Sequence, residues 1–111
     1  MLSKTELALL KQCILNNPRN TMYVSGKEAN IVVVNNSKKM QQIFISKLPI
    51  ILTCPNSLTV DEYTNLRLYV NDEFLNSGWD NEKNCPTNYG LQIDRLLNKL
   101  SSLADSSEKN S

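Results

Sequence analysis

Hydrophobic residues near the N-terminus recur at the spacing of an α-helix. They are Leu7, Leu10 and Ile14, which fall on one helical face. Ser3 and Glu6 precede them at the spacing of a capping box, in which each side chain bonds a free backbone N–H of the first turn. Pro18 disfavours a helical conformation for the residue before it. The pattern therefore predicts a helix from about residue 4 to residue 16.

Two more helical patterns follow later in the chain. Thr59 and Glu62 form a second capping box, and the hydrophobic residues after it predict a helix over 60–76. Those residues are Tyr63, Leu66, Val70 and Phe74. A final helix is predicted over 89–103 from a stripe with the same spacing. That stripe consists of Tyr89, Ile93, Leu96, Leu97 and Leu100.

Three short segments have the composition of β-strands. Residues 22–24 predict a short strand, and residues 31–34 predict a stronger one because all four are β-branched. Residues 50–54 are a third candidate. Both 31–34 and 50–54 are apolar at consecutive positions, which is typical of strands covered on both faces. We therefore expect these two strands to be buried.

Residues 38–48 fit two alternatives. As a helix capped by Ser37, the segment brings four apolar residues onto one face. They are Met40, Ile43, Phe44 and Leu48. As a strand, residues 43–45 have high β propensity, and 36–38 become a hairpin loop. We favour the helix, because two strands joined through a helical segment match a βαβ crossover.

Together these elements predict a mixed α/β (α+β) fold. We expect a single two-layer domain over residues 1–104, in which a small sheet is covered by three or four helices. The sheet is expected to be centred on residues 31–34 and 50–54. Residues 105–111 are polar and rich in serine, so they predict a disordered tail.

The composition excludes several kinds of catalytic and metal site. The chain of 111 residues has no histidine and three cysteines, which removes Ser-His-Asp triads, Cys-His pairs and most zinc sites. No two cysteines have a Cys-x-x-Cys spacing, so we expect no metal and no cofactor, and Cys13 fits the core. Apolar runs fall far short of the roughly 20 residues of a membrane span. Because a signal-peptide pattern is also absent, the expected location is intracellular, in the cytoplasm or nucleus.

Carboxylates are the remaining candidates for acid–base chemistry. Asp61–Glu62 and Asp72–Glu73 are adjacent pairs on the predicted 60–76 helix. The first pair also complements the dipole at the helix N-terminus, and the second suits a solvated face. We therefore expect no enzyme activity, with a carboxylate-dependent enzyme as an alternative.

The predicted 60–76 helix has a second apolar side. Leu68 and Leu75 fall away from the main stripe, beside the acidic residues. Either the C-terminal helix covers them, or they form a seam that binds a partner, as apolar residues surrounded by charges often do. Tyr69 and Trp79 flank such a seam, and both residue types are enriched at interface hot spots. The candidate partner surface is therefore Leu68, Tyr69, Leu75 and Trp79.

The net charge of +1 is unevenly distributed. Residues 1–47 have a balance of +5 and residues 48–111 one of −4, so the halves either pair within the fold or present two faces to partners. Nucleic-acid phosphates need a basic surface. The candidate residues for nucleic-acid binding are Arg19, Lys27, Lys38, Lys39 and Lys47, with Lys4 and Lys11 as further members of the basic half.

These observations favour binding over catalysis. We expect a macromolecule-binding protein without catalytic activity, acting as a protein–protein interaction module such as a small subunit, an adaptor or an inhibitor. Its expected partner is another protein. Nucleic-acid binding through the basic N-terminal half is the alternative.

Overall fold

The computed structural model describes residues 2–26 and 31–109. In these ranges the chain forms four α-helices, two short β-hairpins and one turn of 3-10 helix at Pro55–Ser57. The helices are α1 (Lys4–Asn16), α2 (Ser37–Thr53), α3 (Val60–Ser77) and α4 (Asn88–Lys109). The strands are β1 (Thr21–Tyr23), β2 (Ile31–Val33), β3 (Trp79–Asp80) and β4 (Cys85–Pro86). This arrangement confirms the α+β fold in a single compact domain.

Both predicted capping boxes are formed. The Ser3 hydroxyl accepts from the Glu6 N–H at 3.1 Å, and the Glu6 carboxylate accepts from the Ser3 N–H at 2.9 Å. The same reciprocal pair joins Thr59 and Glu62 at the start of α3. Capping satisfies backbone donors that have no partner inside the helix. The predicted bounds of α1 and α3 are therefore confirmed to within about one residue.

Residues 37–53 form one continuous helix, so the helical alternative for 38–48 is confirmed and the strand predicted at 50–54 is wrong. The apolar face continues past Pro49 and buries Leu48 and Ile51. Pro49 lacks an N–H, so the carbonyl of Ile45 has no donor four residues later. Burial of the apolar face outweighs that loss, because each fully buried aliphatic side chain contributes about 1.5–3 kcal/mol.

The sheet differs from the prediction in its strands and in its burial. β1 and β2 pair antiparallel, with Thr21 opposite Val33 and Tyr23 opposite Ile31. Strands are thus confirmed at the two predicted positions near 22–24 and 31–34. A βαβ crossover is not formed, and the sheet is not centred on 50–54. The β2 residues are exposed and not buried, because in the described ranges β2 belongs to a sheet of two strands, β1 and β2.

The core is built by the helices around α3, which packs against α4, α1 and β1. Phe44 from α2 meets Tyr69 from α3 edge to face, with ring centroids 5.9 Å apart. Cys13 is fully buried, as predicted, and burial raises the pKa of its thiol to about 12. The largest fully buried residues are Tyr63, Tyr69, Leu10, Ile14, Ile51, Leu58, Leu66, Ile93, Leu96 and Leu100.

The C-terminal segment differs from the expected disordered tail. α4 continues through residues 105–109. Ser107 is buried, and its hydroxyl donates to the carbonyl of Leu58 at 2.5 Å. Ala104 is also buried and extends the apolar stripe by one more turn. These contacts explain why the helix passes residue 104. Residues 110 and 111 of the predicted tail lie outside the described residues.

The β3–β4 hairpin joins α3 to α4. The Asp80 carboxylate accepts from the backbone N–H groups of Glu82 and Lys83 and forms the turn between β3 and β4. At the base of this hairpin, Gly78 and Gly90 approach so closely that a Cβ on Gly90 would lie 1.9 Å from the Gly78 carbonyl oxygen. Glycine is therefore required at position 90.

Candidate interaction surface

An apolar groove lies between the β1–β2 hairpin and the helices α2 and α3, with a volume of about 440 Å³. A volume of this order is typical of pockets that bind a small ligand or a few side chains. Val34 and Met22 form the hairpin side, and Ile43 and Met40 of α2 stand opposite. The remaining lining residues are Tyr23, Val24, Asn36, Lys39, Phe44, Lys47, Asp61, Glu62 and Asn65.

Most charged groups at the groove are already engaged inside the protein. The ammonium group of Lys47 pairs with the Glu62 carboxylate. Burial disfavours the charged form of Glu62, but the hydrogen bonds from Lys47 and the capping box outweigh this effect and lower its pKa. Asp61 accepts from the backbone N–H and the hydroxyl of Ser25 at 3.0 and 2.9 Å. Among the described residues, two charged groups of the groove, Lys39 and Asp61, have no ion-pair partner.

One edge of the hairpin is closed by a side chain from α3. The Asn65 carboxamide accepts from the Tyr23 N–H at 2.8 Å and donates to the Tyr23 carbonyl at 2.9 Å. It thus makes the two hydrogen bonds that a neighbouring strand would make. A third bond, to the Asp61 carbonyl at 2.8 Å, holds the buried amide in place. The β1 edge is therefore unavailable to another strand at Tyr23.

The opposite edge of the hairpin is open. The Val34 N–H donates to the Asn20 carbonyl at 2.7 Å, so Val34 and Val32 direct their backbone groups toward β1. Backbone groups alternate in direction along an antiparallel strand. The N–H and C=O groups of Ile31 and Val33 therefore point away from β1, and no described strand pairs with them.

The side chains of β2 add an apolar surface to this open edge. Exposed fractions are 49% for Ile31, 37% for Val32 and 72% for Val33. Side chains alternate between the two faces of a strand. Val34 lines the groove, so Val32 lies on that inner face, whereas Ile31 and Val33 lie on the outer face. β2 therefore presents apolar residues on both sides of an unpaired backbone edge.

The structure separates the four residues of the predicted partner surface. Tyr69 is fully buried beside Phe44, so its assignment to a contact surface is wrong: the ring fills the core between α2 and α3. Leu68 is half-buried in a depression between α3 and α4 that Leu97 also lines. Leu75 and Trp79 are 69% and 41% exposed. These two alone form an exposed patch of the predicted kind.

The predicted basic residues are also divided. Arg19 pairs with Asp72 at 2.5 Å, and Lys47 pairs with Glu62. Both pairs join the basic half of the chain to the acidic half. Lys38 and Lys39 are exposed at the start of α2, and Lys27 lies outside the described residues. Of the five candidate residues, two described lysines, Lys38 and Lys39, are therefore without an ion-pair partner, and Lys4 and Lys11 are also exposed on α1.

The second acidic pair contains a buried carboxylate that sequence reasoning placed on a solvated face. Glu73 is 3% exposed. It accepts from the amides of Asn16 and Asn17 at 3.0 and 3.2 Å and from the Tyr89 hydroxyl at 2.6 Å. Burial disfavours the charged carboxylate, but these three donors outweigh that effect and lower the pKa of Glu73. Glu73 therefore connects α1, α3 and α4 and has a structural role.

No group of metal-binding side chains occurs in the described ranges 2–26 and 31–109. Within the same ranges, no helix is both long and apolar enough to cross a membrane. Comparison with protein-family models, with curated proteins and with solved structures finds no match for this chain.

Sequence reasoning did not find the residues that define this surface. No local pattern marks Asn65, because a helical wheel places it near Asp61 and Asp72, away from the apolar stripe of α3. Ile31–Val33 was found as a strand but assigned to a buried sheet. Hydrophobicity alone does not distinguish a covered strand from an exposed one.

Proposed function

We propose that this protein is a protein-binding module that uses the open edge and the exposed apolar residues of β2. In this role it serves as a small subunit, an adaptor or an inhibitor, and it does not catalyse a reaction. The observation that carries the proposal is the asymmetry of the hairpin. One edge is closed by Asn65, whereas the other combines unpaired backbone groups with exposed Ile31 and Val33.

Physical reasoning supports a binding role for such an edge. Unpaired, apolar edge strands associate readily with other chains, and proteins usually blunt them with charges, prolines or bulges. Residues 31–34 contain none of these. An exposed strand edge also fits a known mode of recognition in which a partner strand extends the sheet.

A catalytic role has less support. Asp61, Glu62, Asp72 and Glu73 are all engaged in hydrogen bonds or ion pairs within the protein. Nucleic-acid binding also has less support, because Arg19 and Lys47 are paired with carboxylates.

The test is affinity capture from the native host with matched variants. The double variant Ile31→Thr/Val33→Thr keeps β propensity but removes the apolar outer face. Leu15→Thr is the control, because Leu15 is an exposed apolar residue on α1. We expect one protein to be recovered with the wild type and with the control and to be lost with the double variant. Circular dichroism establishes that each variant is folded.

Two results would contradict the proposal. Equal recovery by the wild type and the double variant would exclude β2 as the contact surface. Loss of the partner with Leu75→Asp, and not with the β2 variant, would assign binding to the exposed patch of Leu75 and Trp79.

A further inference from the structure

The open edge of β2 also determines which kind of segment fits it. We propose that the partner contributes an extended segment that adds antiparallel to β2, with apolar residues preceded by one or two acidic residues. This inference rests on the proposed function and specifies the chemistry of the partner.

The backbone of β2 supplies the first argument. Ile31 and Val33 each direct an N–H and a C=O outward, and a strand placed at this edge can bond all of them. Asn65 already fills the equivalent position at Tyr23 on the other edge. An added strand therefore has one edge to join, and a helix brought to the same place would leave the backbone groups of β2 unpaired.

The exposed side chains supply the second argument. An added strand places alternate residues beside the outer-face side chains Ile31 and Val33 and the rest beside the inner face of Val32. Apolar or β-branched residues on the incoming strand suit these neighbours, because cross-strand pairs of such residues are stabilising.

The charges near the end of β2 supply the third argument. α2 begins at Ser37, just after β2, and its first turn contains Lys38 and Lys39 but no acidic residue. The positive end of the helix dipole adds to these two charges. The nearby carboxylates Asp61 and Glu62 are occupied by Ser25 and Lys47. Ser25 is neutral, so Asp61 keeps its charge. Three lysines (Lys38, Lys39 and Lys47) against two carboxylates (Asp61 and Glu62) still leave a balance of +1 at this end of β2, which complements a carboxylate on the partner.

The direction of the added strand determines where the carboxylate lies in the partner's sequence. In an antiparallel pair the N-terminal end of the incoming strand lies beside the C-terminal end of β2, and antiparallel pairs are the more common kind. The acidic residues of the partner therefore precede its apolar residues. A second copy of β2 fits less well, because the one acidic residue in the sequence before it, Glu28, is adjacent to Lys27 and leaves no net negative charge there.

The experiment uses the full chain labelled with ¹⁵N and a set of synthetic peptides. The probe is the acetylated peptide amide Glu-Glu-Val-Thr-Val-Thr-Val. Three matched peptides serve as comparisons. The first has lysines in place of the glutamates, and the second has the two glutamates at its C-terminal end. The third has N-methyl groups at alternate backbone nitrogens. Binding is followed by amide chemical shifts and by hydrogen exchange.

We expect the amides of Ile31 and Val33 to become protected when the probe binds, while the Val34 amide is protected already in the free protein. We expect the lysine peptide to bind about tenfold more weakly, which is the size of two exposed ion pairs. Binding should be lost with the N-methylated peptide and with the variant Val33→Pro, in which the outward N–H is removed without loss of a β1–β2 hydrogen bond. The preference for the acidic probe should disappear in the double variant Lys38→Gln/Lys39→Gln. The control is Lys4→Gln/Lys11→Gln, which removes two exposed charges on α1 and should keep that preference.

Several results would overturn the inference. Equal binding of the N-methylated peptide would exclude strand addition, and tighter binding of the peptide with C-terminal glutamates would exclude the antiparallel direction. A dimer in analytical ultracentrifugation that depends on β2 and excludes the probe would identify a second copy as the occupant. Absence of binding by every peptide, with host capture still dependent on Ile31 and Val33, would refute strand addition and leave the proposed function standing. If capture does not depend on these residues either, both proposals fail.

Discussion

Glu73→Gln tests whether the buried carboxylate stabilises the fold through its charge. Glutamine has nearly the same shape, but it has one accepting oxygen and an NH₂ group that faces other donors. A hydrogen bond to a charged group contributes about 1.5–3 kcal/mol and a neutral one about 1 kcal/mol. Glu73 accepts three bonds, but neutralisation also removes the cost of a buried charge. We expect the free energy of unfolding at pH 7 to fall by about 1–2 kcal/mol.

The pH dependence gives this prediction its sign. Hydrogen bonding lowers the pKa of Glu73 below its ordinary value of 4.5. The stabilising contribution of its charge is therefore complete above 4.5 and is lost as the pH falls through the lowered pKa. Glutamine does not titrate. The stability difference between the wild type and Glu73→Gln should therefore hold from pH 7 to about 5 and shrink at lower pH.

The assay is urea unfolding followed by circular dichroism at several pH values. Asp94→Asn is the matched control, because it makes the same change of charge at an exposed position of α4. We expect it to change the free energy of unfolding by less than about 0.5 kcal/mol. The lowered pKa values of Glu6 and Glu62 act equally in all three proteins. Equal stability of Glu73→Gln and Asp94→Asn would refute the reasoning. A difference between the wild type and Glu73→Gln that is as large at about pH 3 as at pH 7 would also refute it.

Three further substitutions test the packing and the hairpin. Tyr69→Phe should change the free energy of unfolding by less than about 1 kcal/mol, because the buried hydroxyl has no hydrogen-bond partner among the described residues. Tyr69→Ala should lower the free energy of unfolding by about 3–5 kcal/mol, because it leaves a cavity in the core. Thermal unfolding measures both changes. Asn65→Ala should cost about 1–3 kcal/mol and accelerate hydrogen exchange of the Tyr23 amide, which loses its acceptor; unchanged exchange would contradict the closed edge. Gly90→Ala should reduce the free energy of unfolding by about 3 kcal/mol or more and lower the melting temperature, because the new Cβ overlaps the Gly78 carbonyl. An unchanged melting temperature would show that Gly78 and Gly90 are not in close contact.

Local interactions explain what the sequence predicts well. The capping boxes at Ser3 and Thr59 join residues three positions apart, so their pattern is complete within one turn. Strand propensity likewise located β1 and β2. The α+β fold follows from these local patterns together.

Contacts between residues far apart in the chain explain which features the sequence does not predict. Residues 50–54 have strand composition, yet Ile51 lies on the buried face of a helix that passes through Pro49. Asn65 meets Tyr23 across 42 positions, and Glu73 meets Asn16 across 57. For Glu73 one local signal existed: it follows Val70 by three positions and Leu66 by seven, which places it on the apolar stripe.

The exposed β2 strand has a consequence for aggregation. Residues 31–34 are uncharged, β-branched and free of proline, which is the composition of segments that stack into cross-β fibrils. In an in-register stack each residue lies over its own copy at a spacing of about 4.8 Å. Lys38 and Lys39 follow the segment closely, so such a stack would align like charges along the fibril axis. The lysines proposed to attract an acidic partner therefore also oppose fibril growth from the edge that must stay open for it.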